Sequence, residues 1–373
     1  MLTTTMDAIH QTKSEMSGYD YGNARLRAKK SQFLAKRELE SLAEAGSPQG
    51  LISALVKTSY RKPVEAALAR SSGMDCIADA LRYDLINTLG KVQFFFTGQA
   101  AEMAAIVFRT YDIQNLKAIL HGLSKHSTAG EILSILLPVG ELKDNVLTEL
   151  ASSPSPRAAI DVLASLRSLF APPLVELRSE YPGIDIPEME LALDRWFYRE
   201  TYQYLRSVHP AGRLLFSAMQ LEADLINLLT VLRFAHAPGE RKFLREWFHT
   251  DQLDRFFVGP GKITFATLVR AGGQDTINAA VEILADTPYE IPLNLGLKAY
   301  AHSALLSDIE KQLKHFRLTW LSRQIYKDPL GIGVLLGYVA LKVNEVSNLR
   351  WIAQGISLGL KVEAIRAELE YPG

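Results

Sequence analysis

The chain has a single cysteine, Cys76, among 373 residues. No internal disulfide can form, which excludes a small fold stapled by cross-links. Cys76 has no histidine near it in sequence and reads as a small apolar core residue. Charge of one sign is not in surplus either. The 41 Lys and Arg are matched by 41 Asp and Glu, whereas a general nucleic-acid binder carries a basic excess. Long apolar runs are missing. The longest stretch without Asp, Glu, Lys or Arg is the 13 residues from Pro329 to Leu341, and a bilayer span takes roughly 18. Met1 to Gly18 carries Asp7, Lys13 and Glu15 and no apolar stretch, unlike a signal peptide. No transmembrane segment is expected. Clean strand-like alternation is also scarce.

What is present is helical period. Leu214, Ala218, Leu221, Leu225, Leu228 and Leu232 recur at steps of four and three, the spacing of one apolar helix stripe. Turn signals punctuate the chain at Gly46-Ser47-Pro48, Ser152-Ser153-Pro154, Pro172-Pro173, Tyr181-Pro182-Gly183, Gly259-Pro260-Gly261, Gly272-Gly273 and Asp328-Pro329. With 48% hydrophobic residues there is ample material for a core. The fold class that follows is all-α.

The chain also repeats itself. Asp112-Ile113-Gln114-Asn115-Leu116, Asp224-Leu225-Ile226-Asn227-Leu228 and Glu345-Val346-Ser347-Asn348-Leu349 are alike, with asparagines 112 and 121 residues apart. A second landmark lies upstream of each: Leu55 to Pro63, a degenerate Leu163 to Pro172, and Leu284 to Pro292. Leu55 precedes Asn115 by 60 residues, and Leu163 and Leu284 precede Asn227 and Asn348 by 64 each. Tyr19 to Arg25 matches Tyr111 to Lys117, and Leu39, Leu147 and Leu268 each stand 16 residues before Leu55, Leu163 and Leu284. The chain therefore begins with the closing half of a unit. Residues 1–50 hold an extension and that half-unit, and 51–157, 158–278 and 279–373 form three homologous helical domains. Such units are far longer than those of helical-pair solenoids. Pseudo-threefold packing is expected, with the half-unit placed to complete unit three.

Asp112 and Asn115 share one helix edge, as do Asp224 and Asn227 and also Glu345 and Asn348. A mid-helix asparagine carries a propensity cost. Two readings follow. The six residues either brace neighbouring helix ends within each unit, or line a shared central socket.

Tests for chemistry fail. Gly331-Ile332-Gly333 with Gly337 lacks the spacing and preceding strand of a dinucleotide loop and reads as helix. Gly259 to Thr264 resembles a phosphate loop but has its hydroxyl one residue late and reads as a turn. Glu246-Trp247-Phe248-His249 is the only Glu-x-x-His, and a di-iron bundle needs two. No catalytic residue, metal site or cofactor is expected. One charge cluster remains: Arg25, Arg27, Lys29, Lys30, Lys36 and Arg37, with no acid from Asn23 to Arg37. It is either a solvated helix face, with Glu38 and Glu40 as partners, or a basic docking surface for acidic protein or anionic headgroups.

Tyr21-Gly22-Asn23-Ala24-Arg25-Leu26-Arg27 resembles the Y-x-N-A-R-x-R signature of the C subunit of the prokaryotic V-type (archaeal-type) ATPases, known as the d subunit in the eukaryotic vacuolar enzyme. Glu345 to Gly355 resembles that family's E-V-x-N-L-R-x-I-A-x-G, and triplication is a family trait. The resemblance implies a funnel-shaped, all-helical rotor part of the central stalk that catalyses no bond change. It would lie peripherally on the cytoplasmic face of the membrane. There it would receive the shaft built from the D and F subunits and sit on the proteolipid ring, coupling ATP chemistry to ion transport. The competing reading is a soluble helical-repeat scaffold without membrane association.

Overall fold

The computed structural model describes residues 18–180, 185–247 and 252–373. The expected turn at Tyr181-Pro182-Gly183, residues Phe248 and His249 of the Glu-x-x-His, and the extension before Gly18 lie outside them. The described residues are helical with short connections and contain no strand. The fold is all-α.

Two compact units emerge. One holds the described residues up to Asp112, then Leu137–Lys143 and Leu318–Gly373; the other holds Ile113–Leu136 and Asp144–Arg317. In the first, the Gly73–Val92 helix packs against Arg61–Leu68 and Gly333–Ser357, burying Leu81, Leu85, Leu89, Leu335, Leu349 and Ile352. In the second, the Arg213–His236 helix packs on Phe265–Gly272, Ile277–Ile283 and Ile186–Ser207. Arg213–His236 is long and apolar enough to cross a bilayer. Its Ala218, Leu221, Leu225, Leu228 and Leu232 are instead buried within the chain, so its period records a core helix. Cys76 is fully buried, as its composition reading predicts.

The repeat is written into the helix ends. Ser47, Ser155 and Thr276 each precede Leu55, Leu163 and Leu284 by eight residues. Their hydroxyls accept the N–H of Gly50, Ala158 and Ala279 at 3.0, 3.2 and 3.3 Å. Each such cap is worth about 1 kcal/mol.

The next helices, Arg61–Leu68, Ala171–Glu180 and Glu290–Ser303, carry Pro63, Pro173 and Pro292 as their third residues. Pro172-Pro173 is thus not a turn. The first helical N–H groups have no partner inside the helix, so prolines there forfeit nothing and pre-set φ. Tyr60, Phe170 and Tyr289 stand directly before these helices. In the middle copy two extra residues separate the leucine from the aromatic, and Arg167 there takes φ 50°. That insertion is why the middle landmark reads as degenerate. Near Gly331 the helix begins only at Gly333, whose N–H binds Asp328 Oδ2 at 2.8 Å; Gly331 and Ile332 belong to the preceding turn.

Candidate functional site

Three signature helices, Gly98–Ser124, Arg213–His236 and Gly333–Ser357, hold the acid and amide pairs. Asp112, Asn115, Asp224, Asn227, Glu345 and Asn348 are all buried, none more than 4% exposed. A carboxylate taken out of water must be answered by donors. Asp112 accepts from the N–H of Glu141 at 2.7 Å and of Leu142 at 3.1 Å. Asp224 accepts from the N–H of Lys262 and Ile263 at 2.7 and 3.2 Å, and from the Tyr289 hydroxyl at 2.8 Å. Glu345 accepts from the Leu34 N–H at 2.6 Å, the Tyr60 hydroxyl at 2.6 Å and Lys342 Nζ at 2.9 Å.

The donors are as equivalent as the acceptors. Leu34, Leu142 and Ile263 each stand five residues before Leu39, Leu147 and Leu268. For Asp112 and Asp224 the donors come later in the chain. For Glu345 the backbone donor lies 311 residues earlier, near the start of the described chain. The same segments meet again where Asn23 Nδ2 donates to the Gly331 carbonyl at 3.0 Å and Phe33 stacks on Tyr338 with centroids 5.1 Å apart.

Two glycines make the aspartate stations possible. Gly140 and Gly261 precede the donating amides, and a Cβ on either would overlap the Asp112 or Asp224 carboxylate. The stretch from Gly259 to Thr264 is an irregular loop with bends at Gly259, Lys262 and Ile263, between two helices. Its amides enclose an anion, and that anion is the chain's own Asp224. Residues 31–34 contain no glycine, and the acid facing them is glutamate, one methylene longer.

The asparagines read backbone in the same way. Asn227 accepts the Val258 N–H at 3.0 Å and donates to the Gly259 carbonyl at 2.9 Å. Asn348 accepts the Glu370 N–H at 3.0 Å and donates to the Glu370 carbonyl at 2.8 Å. Asn115 is likewise buried and engaged. Asp112 and Glu345 share the first compact unit yet take different donors, so each acid has its own station.

Lys342 completes the third station. Its ammonium is buried, 2.7 Å from Asp84 Oδ2 and 2.9 Å from the Tyr60 hydroxyl, and lies over the Tyr60 ring at 4.6 Å. Burial pushes the Asp112 carboxyl up to about 6, even against its two backbone donors. Burial also raises Asp224, opposed by the Lys262 and Ile263 amides and the Tyr289 hydroxyl. Tyr60 is held well above its ordinary range by burial and then by the Glu345 charge.

The basic run divides. Arg25 lies 4.7 Å from the Phe95 ring centroid and donates to the Tyr21 hydroxyl at 2.5 Å. Arg27 donates to the Pro329 carbonyl, and Lys30 to the Tyr326 hydroxyl at 2.7 Å. Lys29 is half-buried, its ammonium shifted down by burial and by Arg25. Lys36 pairs with Glu40 at 3.8 Å and Arg37 is exposed. Much of this run fastens the N-terminal helix, residues 18–30, to the C-terminal segment.

Sequence reasoning missed Tyr60, Tyr289, Lys342, Gly140 and Gly261. The tyrosines carried a signal, since both sit five residues after the landmark leucines. Phe170 has no hydroxyl, which hid the pattern. Lys342 carried none, because the equivalent positions are Arg109 and Leu221. Among the described residues no group of three or more His, Cys, Asp or Glu could hold a metal ion.

Residues 22–368 match the family model described as ATP synthase (C/AC39) subunit. The C subunit of the A-type ATP synthase of Haloferax volcanii is 27% identical over 355 residues, covering 95% of this chain and 97% of its own. The protein of the same name from Methanosarcina barkeri is 26% identical over 368 residues, covering 96% and 94%.

Proposed function

The chain belongs to the ATP synthase (C/AC39) subunit family, and on that footing we propose that it is the non-catalytic central-stalk subunit of an A-type (V-type) ATPase or ATP synthase. In this role it is a peripheral rotor part on the cytoplasmic face of the membrane. It receives the shaft built from the D and F subunits on one side and seats on the proteolipid ring on the other, so that torque couples ATP chemistry to ion transport.

The observation that carries the reading is the family match from residue 22 to 368, with relatives covered almost end to end. Physical chemistry supports it. A part under torque must be stiff, and close-packed helices are stiff. In this reading the three repeats, 51–157, 158–278 and 279–373, are its mechanical units and the half-unit within 1–50 closes the third. The six signature residues are braces that pin loops to helices, and contact with the shaft falls to exposed side chains. Balanced overall charge with local patches suits a part that binds two partners.

Affinity purification of the tagged chain from detergent-solubilised membranes tests this. D, F and the proteolipid are expected with it in fixed ratio. Recovery with soluble proteins alone would replace the proposal with a scaffold free of the membrane.

A further inference from the structure

We infer that the Ile186–Ser207 helix and the loop facing it form a binding site for an anion bearing two or more linked phosphates. Arg195, Arg199, Tyr202 and Arg206 follow at steps of four, three and four and so make one stripe along that helix. Together with Arg255 and the wall from Phe257 to Pro260 they line a cleft of about 500 Å3. That volume is in the ordinary range for small-ligand sites.

The charge is lopsided. Four guanidiniums line the cleft with one carboxylate, Asp254. Arg195 is committed to the fold: it donates to the carbonyls of Phe257 at 3.0 Å and Asp254 at 3.2 Å, and to that of Arg255. Among the described residues Arg199 meets its half-buried neighbour Glu200, through Nε at 3.2 Å. Arg206 lies over the Phe216 ring at 5.7 Å. Among the described residues no carboxylate forms an ion pair with Arg206 or Arg255, although Glu188 lies within the field of Arg255. Burial and the adjacent Arg255 charge both pull the Arg195 guanidinium down from its usual range.

Like charges gathered against low-dielectric walls focus a field on whatever fills the space. A guanidinium fork matches phosphate oxygens in pairs. Arg206 and Arg255 meet no carboxylate among the described residues and Arg199 meets Glu200 through Nε alone. A stripe from Arg199 to Arg206 is about 10 Å long at the helical rise, so linked phosphates suit the site better than one. The loop is also held ready. Asn227 fixes Val258 and Gly259, Arg195 fixes residues 254–257, and a Cβ at Gly259 would crowd Tyr198 at 3.0 Å. Preorganisation of this kind lowers the ordering cost of binding.

Linked phosphates can come free in solution or on a lipid headgroup. The test uses the full chain at low salt in two arms: calorimetry with inorganic tripolyphosphate, and co-sedimentation with phosphatidylcholine vesicles with and without cardiolipin. Arg199→Ala with Arg206→Ala should weaken binding about tenfold or more. Arg199→Lys with Arg206→Lys keeps the charge and should fall between, since the paired geometry is lost. Arg70→Ala with Arg157→Ala removes equal charge elsewhere on the exposed surface and should leave binding unchanged. Saturable tripolyphosphate binding with this ranking supports a free ligand. Cardiolipin-dependent sedimentation with the same ranking, and no tripolyphosphate binding, supports a headgroup. Binding in neither arm, or equal loss in both alanine pairs, overturns the inference.

Discussion

Replacing Glu345 by alanine is expected to destabilise the folded chain by about 3–5 kcal/mol, the cost of breaking a buried ion pair from one side. The Glu345 carboxylate receives the Leu34 N–H, the Tyr60 hydroxyl and the Lys342 ammonium. Alanine leaves Lys342 buried with Asp84 as its one carboxylate and the Tyr60 hydroxyl beside it, and leaves the Leu34 N–H and the Tyr60 O–H without an acceptor. The Leu34 bond joins segments 311 residues apart, so residues 18–34 should loosen first. Urea denaturation followed by helix content gives the global loss, and amide hydrogen exchange in residues 18–34 gives the local one. Tyr60→Phe removes one hydroxyl but keeps the ion pair, and should cost less, about 1.5–3 kcal/mol. Equal losses for both variants would mean that the carboxylate's charge is not what the station needs.

Gly261→Ala should be nearly as damaging as Asp224→Ala, at about 3 kcal/mol each by the usual cost of unpaired buried donors or core overpacking. The Cβ added at Gly261 would take the space of the Asp224 carboxylate. The carboxylate would then lose the Lys262 and Ile263 amides and the Tyr289 hydroxyl. Asp224→Ala loses the same three bonds by removing the acceptor. Because both changes break one set of contacts, the double variant should be far less than additive. In it the new Cβ enters the space the carboxylate vacates. Thermal and urea unfolding of the four proteins measures the coupling. Additive losses would show that Gly261 is needed for some other reason than the approach to Asp224.

These stations mark where sequence reading stops. The helical class was legible from the steps of four and three between Leu214 and Leu232, because burial on one helix face imposes that period. The asparagine landmarks were legible because the same short segment recurs. Their donors were not. Nothing local to Glu345 points to Leu34 at the other end of the chain, and a backbone amide has no letter of its own. Gly261 read as a turn residue, and it lies in the irregular loop before Phe265–Gly272. That its missing side chain makes room for a carboxylate 37 residues earlier is a matter of packing. Pro172-Pro173 misled because proline marks turns and first helical turns alike. The arginine stripe from Arg195 to Arg206 could have been read from its spacing, since four and three place side chains on one helix face. Its meaning rests on the loop that faces it, and that pairing is tertiary.

The proposed role has mechanical content: the chain turns with the proteolipid ring. A short covalent tether between the two, made in the assembled membrane complex, tests this most directly. ATP hydrolysis coupled to ion movement is predicted to continue at its untethered rate, because two parts that turn together can be joined without loss. A tether between the chain and the stationary arms should stop it. Arrest of hydrolysis by the chain-to-ring tether would contradict the account and place the chain outside the rotor.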